Sequence, residues 1–269
     1  MQADSIADPL TSPAPAEVPL PSAPLARVVA QVRFPEIVSI ERREFIGPFQ
    51  EAIRRDYPAL RAERAAGVML APGGVVQPQA SSTTWRFNDR SGAWRGSLAP
   101  GFVALETTEY TSRGDFLERM RRLLHAVEEH VDPQIADRVG IRYIDRIVWS
   151  GPEDFARLVR PDVAGILARP FGDSATQALT QCVFGLPESD AALMARWGLV
   201  PAGGTVDPLV LEPADSACWI LDLDAYAPSE QAFDVDALLA QTRALAERVY
   251  TFFRWAVTDQ FLTKFGGVL

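Results

Sequence analysis

The sequence predicts an α+β fold made of two tandem pseudo-repeats, each with the element order β-α-β-β-β-β-α. In each, an antiparallel sheet carries its helices on one face. Three observations predict it. Short runs of alternating apolar and polar residues, separated by turn residues, outnumber the helical stretches. Two long amphipathic segments, beginning near Asp115 and Asp234, each follow a strand that ends in an acid and a tyrosine four apart. The order that begins at Arg27 starts again at Arg138, in "RVGIRYIDRIVW".

The elements follow in order. "DPLTSPAPAEVPLPSAPLA" is rich in Pro, Ala and Ser and has no hydrophobic period, so residues 1–24 read as an extended or disordered arm. "RVVAQVRF" places Val28, Ala30, Val32 and Phe34 on one face of a strand and opens a first repeat over residues 25–135. In "ERREFIGPFQEAIRRDYP", Phe45, Phe49, Ile53 and Tyr57 recur at helical spacing, and Pro58 closes the helix. A weaker strand near Val68 to Val76 and the loop glycines of "PGG" at 72–74 come next. "STTWRFND", "GAWRGSLA" and "FVALETTEY" then read as a meander with turns at "NDRSG" and "APG". Ser112 and Asp115 open the next helix as a capping box, with Phe116, Met120, Leu123, Leu124 and Val127 as its stripe.

The second repeat, 136–269, takes "RVGIRYIDRIVW" as its first strand and "GPEDFARLVRPDVAGILA" as helix. "ALTQCVFGLP", "ALMARWGLV", "DPLVLEP" and "SACWILDLDAY" are its further strands. The closing helix carries Leu238, Leu245, Val249, Phe252 and Phe253 as a core or partner-facing stripe. "LETTEY" (105–110) aligns without gaps on "LDLDAY" (221–226), and "RVVAQV" aligns on "RVGIRY". Such matches inside one element order point to internal duplication. The order is like that of helix-grip or TATA-binding-protein-like folds, which says nothing of function.

Composition excludes several function classes. The 269 residues carry a net charge of −9, which works against nonspecific attraction to nucleic acid. No apolar run is long enough to span a membrane, and "MQADSIADPL" lacks the pattern of a signal peptide, so a cytoplasmic protein is expected. Cys182 and Cys218 read as thiols of apolar segments rather than a disulfide. His125 and His130 are five apart on one helix, about 140° around it, and do not share a metal. No metal or cofactor is expected. Lys264 is the only lysine, a bias that a GC-rich genome explains. No GxGxxG, P-loop or GxSxG motif occurs.

The residues that could carry function lie on the repeat-opening strand and the two strand ends. Along 138–149, Val139, Ile141, Tyr143, Asp145, Ile147 and Trp149 share one face. Arg138, Gly140, Arg142, Ile144, Arg146 and Val148 share the other. Asp145 falls among apolar residues, where a charge needs a partner or a bulge to re-aim it. Arg142 and Arg146 either pair with acids of neighbouring strands, such as Glu106, Asp222 or Asp224, or form a comb for an anionic ligand. Glu106 with Tyr110, and Asp222 with Tyr226, are each four apart and so predicted on one strand face, where they could line a shared concave surface. Two such carboxylates could also do acid–base work. Trp85 and Phe87 alternate with Arg86, which is core-in, charge-out patterning rather than a stacking platform.

Four stretches together resemble a known group: "QVRFPEI" (31–37), "WRFNDRSGAWRGSL" (85–98), "FVALETTEYTSRGDFLERM" (102–120) and "RVGIRYIDRI" (138–147). They are similar to a sporadically distributed family of uncharacterised prokaryotic proteins of about this length. The resemblance covers most of the chain from Pro24 onward. It carries no assigned chemistry, and its patchy distribution is like that of genes in mobile defence or toxin–antitoxin cassettes. The expected function is a non-enzymatic binding protein for a protein partner or anionic ligand. The alternatives are a carboxylate-dependent hydrolase or nuclease working through Glu106, Asp145 or Asp222, and an arginine-face nucleic-acid binder.

Overall fold

The computed structural model describes residues 6–64, 67–70, 76–79, 82–187 and 189–268. The strands are β1 (Leu25–Arg33), β2 (Ala59–Arg64), β3 (Gly67–Leu70), β4 (Val76–Gln79), β5 (Thr83–Asn88), β6 (Trp94–Ala99) and β7 (Phe102–Thr107). They continue with β8 (Ile135–Val148), β9 (Ala178–Gly185), β10 (Ala192–Val200) and β11 (Cys218–Ala232). The helices are α1 (Arg43–Ile53), α2 (Arg113–His130), α3 (Pro152–Leu158), α4 (Pro161–Ala164), α5 (Val235–Ala256) and α6 (Asp259–Lys264). Nine strands form one open antiparallel sheet in the order β2-β5-β6-β7-β1-β8-β11-β10-β9, and β3 pairs with β4 apart from it. The α+β class is therefore as expected.

By contacts the chain divides into two compact units, 1–28 with 140–227 and 242–269, and 29–139 with 228–241. The divisions fall inside β1, β8, β11 and α5, because these long elements run through both.

In the second of these units α1 and α2 cover one face of β5, β6 and β7. Trp85, Phe87, Trp94, Leu98, Val103 and Leu105 point to that side and are buried. Phe49 of α1 meets Phe87 edge to face at 5.3 Å, and Phe116 of α2 lies 5.8 Å from Trp94. Ser112 caps α2 by accepting the Asp115 N–H (3.1 Å), as its sequence predicts. The buried stripe of α1 runs through Ile46, Phe49 and Ile53, with Phe45 only half-buried. The opposite face of these strands is polar: Arg86 pairs with Glu63 and donates to Ser97, so the Trp85–Phe87 stretch is core.

β2 was not anticipated. Its sequence, ALRAER, is exposed at five of six positions, so it carries no alternation to read, and only its pairing with β5 makes it a strand. The weaker strand expected near 68–76 is in part β3, with Val76 opening β4, while residues 71–75, and with them "PGG", lie outside the described residues.

In the first unit β9, β10 and β11 carry α3 and α5 on one face. Trp219 lies tilted against Phe155 at 5.3 Å, and Phe252 lies against Phe184 (5.8 Å) and Trp197 (6.5 Å). Gly198 of β10 has φ +144°, and a Cβ there would stand 1.9 Å from the Ala178 carbonyl oxygen. Only glycine lets β9 start where it does.

"DPLVLEP" is not a strand. The Asp207 carbonyl accepts the N–H of Val210 and of Leu211, and its side chain accepts the N–H of Leu209 (3.2 Å), so the chain turns instead. Asp before Pro is a turn-forming pair that the apolar run obscured.

Residues 6–24 of the arm form neither helix nor strand, with turns at 9–11 and 21–22, and side chains of α5 bind them. Tyr250 Oη of α5 accepts the Val18 N–H (2.8 Å) and donates to the Ala16 carbonyl (3.2 Å). Arg248 donates to the carbonyls of Pro9 and Ser12, both at 2.9 Å. A proline-rich segment has few backbone donors, and here side chains of α5 satisfy its carbonyls. Among the described residues no helix is long and apolar enough to cross a membrane.

Candidate functional site

β8 brings Arg142 and Arg146 to the polar face of the first unit, and each has a partner. Asp222, in the middle of β11, is fully buried and sits between two arginines. From β8, Arg142 grips it in bidentate fashion, Nε to Oδ1 at 2.7 Å and Nη2 to Oδ2 at 2.9 Å. From β10, Arg196, the register partner of Asp222, donates Nε (3.1 Å) and Nη2 (2.6 Å) to Oδ2. The third nitrogen of Arg142, Nη1, reaches Asp207 Oδ2 at 2.8 Å. Two arginines and two aspartates form a formally neutral network.

Burial works against the Arg142 charge, and the Asp222 and Asp207 carboxylates more than offset it, so the guanidinium is held more firmly protonated than usual. Asp207 also loses solvation, and the Arg142 hydrogen bond and charge outweigh that loss and hold its carboxyl below the usual range.

The network fastens the connection between β10 and β11 to the sheet. Asp207 links it through Arg142. Arg146, the next arginine on that face of β8, donates Nη1 to the Glu212 carbonyl at 2.8 Å. Between these two ties lies Ile144, which is fully buried with Val200, Leu211, Cys218 and Ile220, while Val206, Val210 and Ala214 pack against the group. An isoleucine on an arginine face is thereby explained, because loop 201–217 covers it. Leu209 stands at the loop's outer side, 93% exposed.

The structure treats the expected site residues differently. Arg142 pairs with Asp222, one of the acids expected for it. Arg146 meets a backbone carbonyl rather than a carboxylate. Glu106 belongs to the other unit and pairs across the strand with Arg95 at 3.3 Å. Arg138 also falls in that unit, apart from Arg142 and Arg146. Asp222 and Tyr226 share a face of β11, and Tyr226 fits beside Gly140, where an added Cβ would come 3.3 Å from the tyrosine Cβ. Glu106 and Tyr110 do not share a strand. β7 ends at Thr107, whose hydroxyl accepts the Glu109 N–H (2.9 Å) and turns the chain, and the Tyr110 ring lies against Phe116 of α2.

Asp145 is buried. It makes no hydrogen bond or ion pair with a described residue, and burial alone raises its carboxyl to about 7. Both cysteines are free thiols; Cys218 is buried, and burial pushes its thiol up against the opposing charge of Arg146.

Sequence reasoning missed Arg196 and Asp207. The signal for Arg196 is a single charge inside the apolar run ALMARWGLV, which at register demands an acid opposite. Asp207 gave only its turn chemistry.

Among the described residues no three His, Cys, Asp or Glu side chains converge as a metal set would. Comparison with known proteins finds no matching family model and no matching curated protein.

Proposed function

We propose that the protein is a non-enzymatic binding protein, and that loop 201–217 is the surface it offers to a protein partner. The observation that carries this reading is the use of the β8 arginines. Two charged ties and a small apolar cluster hold the loop on a rigid sheet while Leu209 faces solvent. A preorganised loop loses little conformational freedom on binding, and an exposed leucine supplies an apolar anchor. Two of the three carboxylates that acid–base chemistry would use are engaged otherwise: Asp222 accepts four hydrogen bonds from two arginines, and Glu106 pairs with Arg95, while the third, Asp145, is buried.

The test is purification of the tagged full chain from its own host. A stoichiometric protein that is retained at high salt and lost with Leu209→Asp supports the reading. A nucleic acid lost steeply as salt rises would replace it with an anionic-ligand reading. Turnover of a nucleic-acid or glycan substrate that is lost with Glu106→Gln would make the protein an enzyme.

We also infer that the two halves descend from an internal duplication. Reading outward from β1 the sheet order is β7, β6, β5, and outward from β8 it is β11, β10, β9, which supports that descent. A crystal structure in which β8-β11-β10-β9 fails to superpose on β1-β7-β6-β5 would remove it. Membership of the sporadic prokaryotic family, a cytoplasmic setting and a place in a mobile cassette belong to the same proposal. Recurrent defence or toxin–antitoxin genes beside its gene would support the last.

A further inference from the structure

β9 is the outermost strand at its end of the sheet, and its free edge differs from the edge at β2. β2 carries Arg61, Glu63 and Arg64 in six residues, the kind of charge that keeps an edge strand from pairing. β9 carries none, and the whole stretch from Ser174 to Pro187 is uncharged in a chain of net charge −9. Leu179 and Val183 on β9 are 43% and 60% exposed.

The direction of the free backbone groups follows from the register. β9 pairs with β10 without a bulge, and just beyond it Leu186 donates its N–H to the Ala191 carbonyl (2.8 Å). Hydrogen-bonded pairs alternate along an antiparallel ladder, so residues 178, 180, 182 and 184 direct their backbone groups to β10. The N–H and C=O of Leu179, Gln181, Val183 and Gly185 therefore point away from the sheet. No described group bonds to them.

We propose that β9 pairs antiparallel with β9 of a second copy of this chain, about a two-fold axis at Gln181. In that register Leu179 lies opposite Val183 of the other copy, so both exposed apolar side chains are covered, and Gln181 meets its own counterpart. Leu179, Gln181 and Val183 are all outward-facing positions, so the three pairs form about six hydrogen bonds. Shifting the axis to Cys182 would set Leu179 against Gly185 and lose that apolar match. Two copies of a chain at −9 repel over most approaches, and an uncharged edge is where they can meet. Continuous pairing of two edges is a common mode of strand addition. This inference does not depend on the loop 201–217 reading, because it is measured on the isolated protein.

Sedimentation velocity of the purified full chain at micromolar concentration tests it. A dimer is expected for the wild type and a monomer for Val183→Pro, which removes an outward N–H and leaves the β10 ladder its own donors. If Val183→Pro does not fold, Val183→Lys serves, since it places a charge in the apolar contact of an exposed site. In a Cys182→Ser background, Gln181→Cys is expected to give a disulfide-linked dimer on mild oxidation. A monomeric wild type would overturn the proposal, as would a dimer unaffected by both Val183 substitutions.

Discussion

Asp222 has no exposed side-chain surface, and its charge is tolerated because Arg142 and Arg196 enclose it from the two neighbouring strands. Removing one partner of a buried pair leaves the other charge uncompensated, a loss typically larger than the pair's own net value. Asp222→Ala, which leaves two half-buried guanidiniums side by side, should lower stability by about 3–5 kcal/mol in urea denaturation. Arg142→Ala should cost less, because Arg196 still neutralises Asp222. Arg142 is for that reason a poor probe of partner binding by itself. Asp145 makes the opposite case. Its carboxyl titrates near 7 in the folded chain against an ordinary value of 3.8. Between about pH 4 and 7 the folded chain keeps a proton that the unfolded chain has released, so stability falls as pH rises through that window and levels off above it. Asp145→Asn should abolish this slope and stabilise the protein at pH 8 by about 2–4 kcal/mol, with little effect near pH 3.5. A denaturation series across pH that shows the same slope in both proteins would refute the assignment. Both residues were visible in the sequence. The acid partner of Arg142 could be placed because strand alternation puts both on one polar face, whereas the absence of a partner for Asp145 is a property of packing.

At the scale of elements, β1, β5, β6, β7, β8 and β11 were legible from apolar periodicity, and α2 from its periodicity together with its Ser112 cap. β2 and loop 201–217 were not. β2 is defined by a neighbour rather than by its own pattern, and the apolar residues of "DPLVLEP" serve a local cluster, with Leu211 under the loop and Leu209 outside it. The hydrogen-bond partners of the arm lie more than 200 positions away, so its own sequence could not show them. Tyr250→Phe removes the hydroxyl that holds Ala16 and Val18, at a cost of about 1 kcal/mol. Limited proteolysis should then cut residues 6–24 several-fold faster with the remainder of the chain resistant. Gly198→Ala should be severe, since its Cβ meets the Ala178 carbonyl, and loss of β9 protection in hydrogen exchange is the expected sign.

For the whole molecule, the α+β class followed from composition and periodicity, and one sheet of nine strands follows from the pairing of long elements that run through both compact units. Such pairing is not local in sequence and could not be read from it. The shared-surface expectation for Glu106, Tyr110, Asp222 and Tyr226 rested on two strand ends having equal geometry, and one of them turns at Thr107. What the sequence did contain was the puzzle of arginines on a strand with an isoleucine between them, and the structure answers it with a fastened loop. Hydrogen exchange on Asp207→Ala measures that most directly. The amides of Gly203, Val210 and Leu211, which are bonded within the loop, should exchange at least tenfold faster than in the wild type, with those of β10 and β11 unchanged. Undiminished protection of those three amides would show that the loop holds itself, and that the β8 arginines do something else.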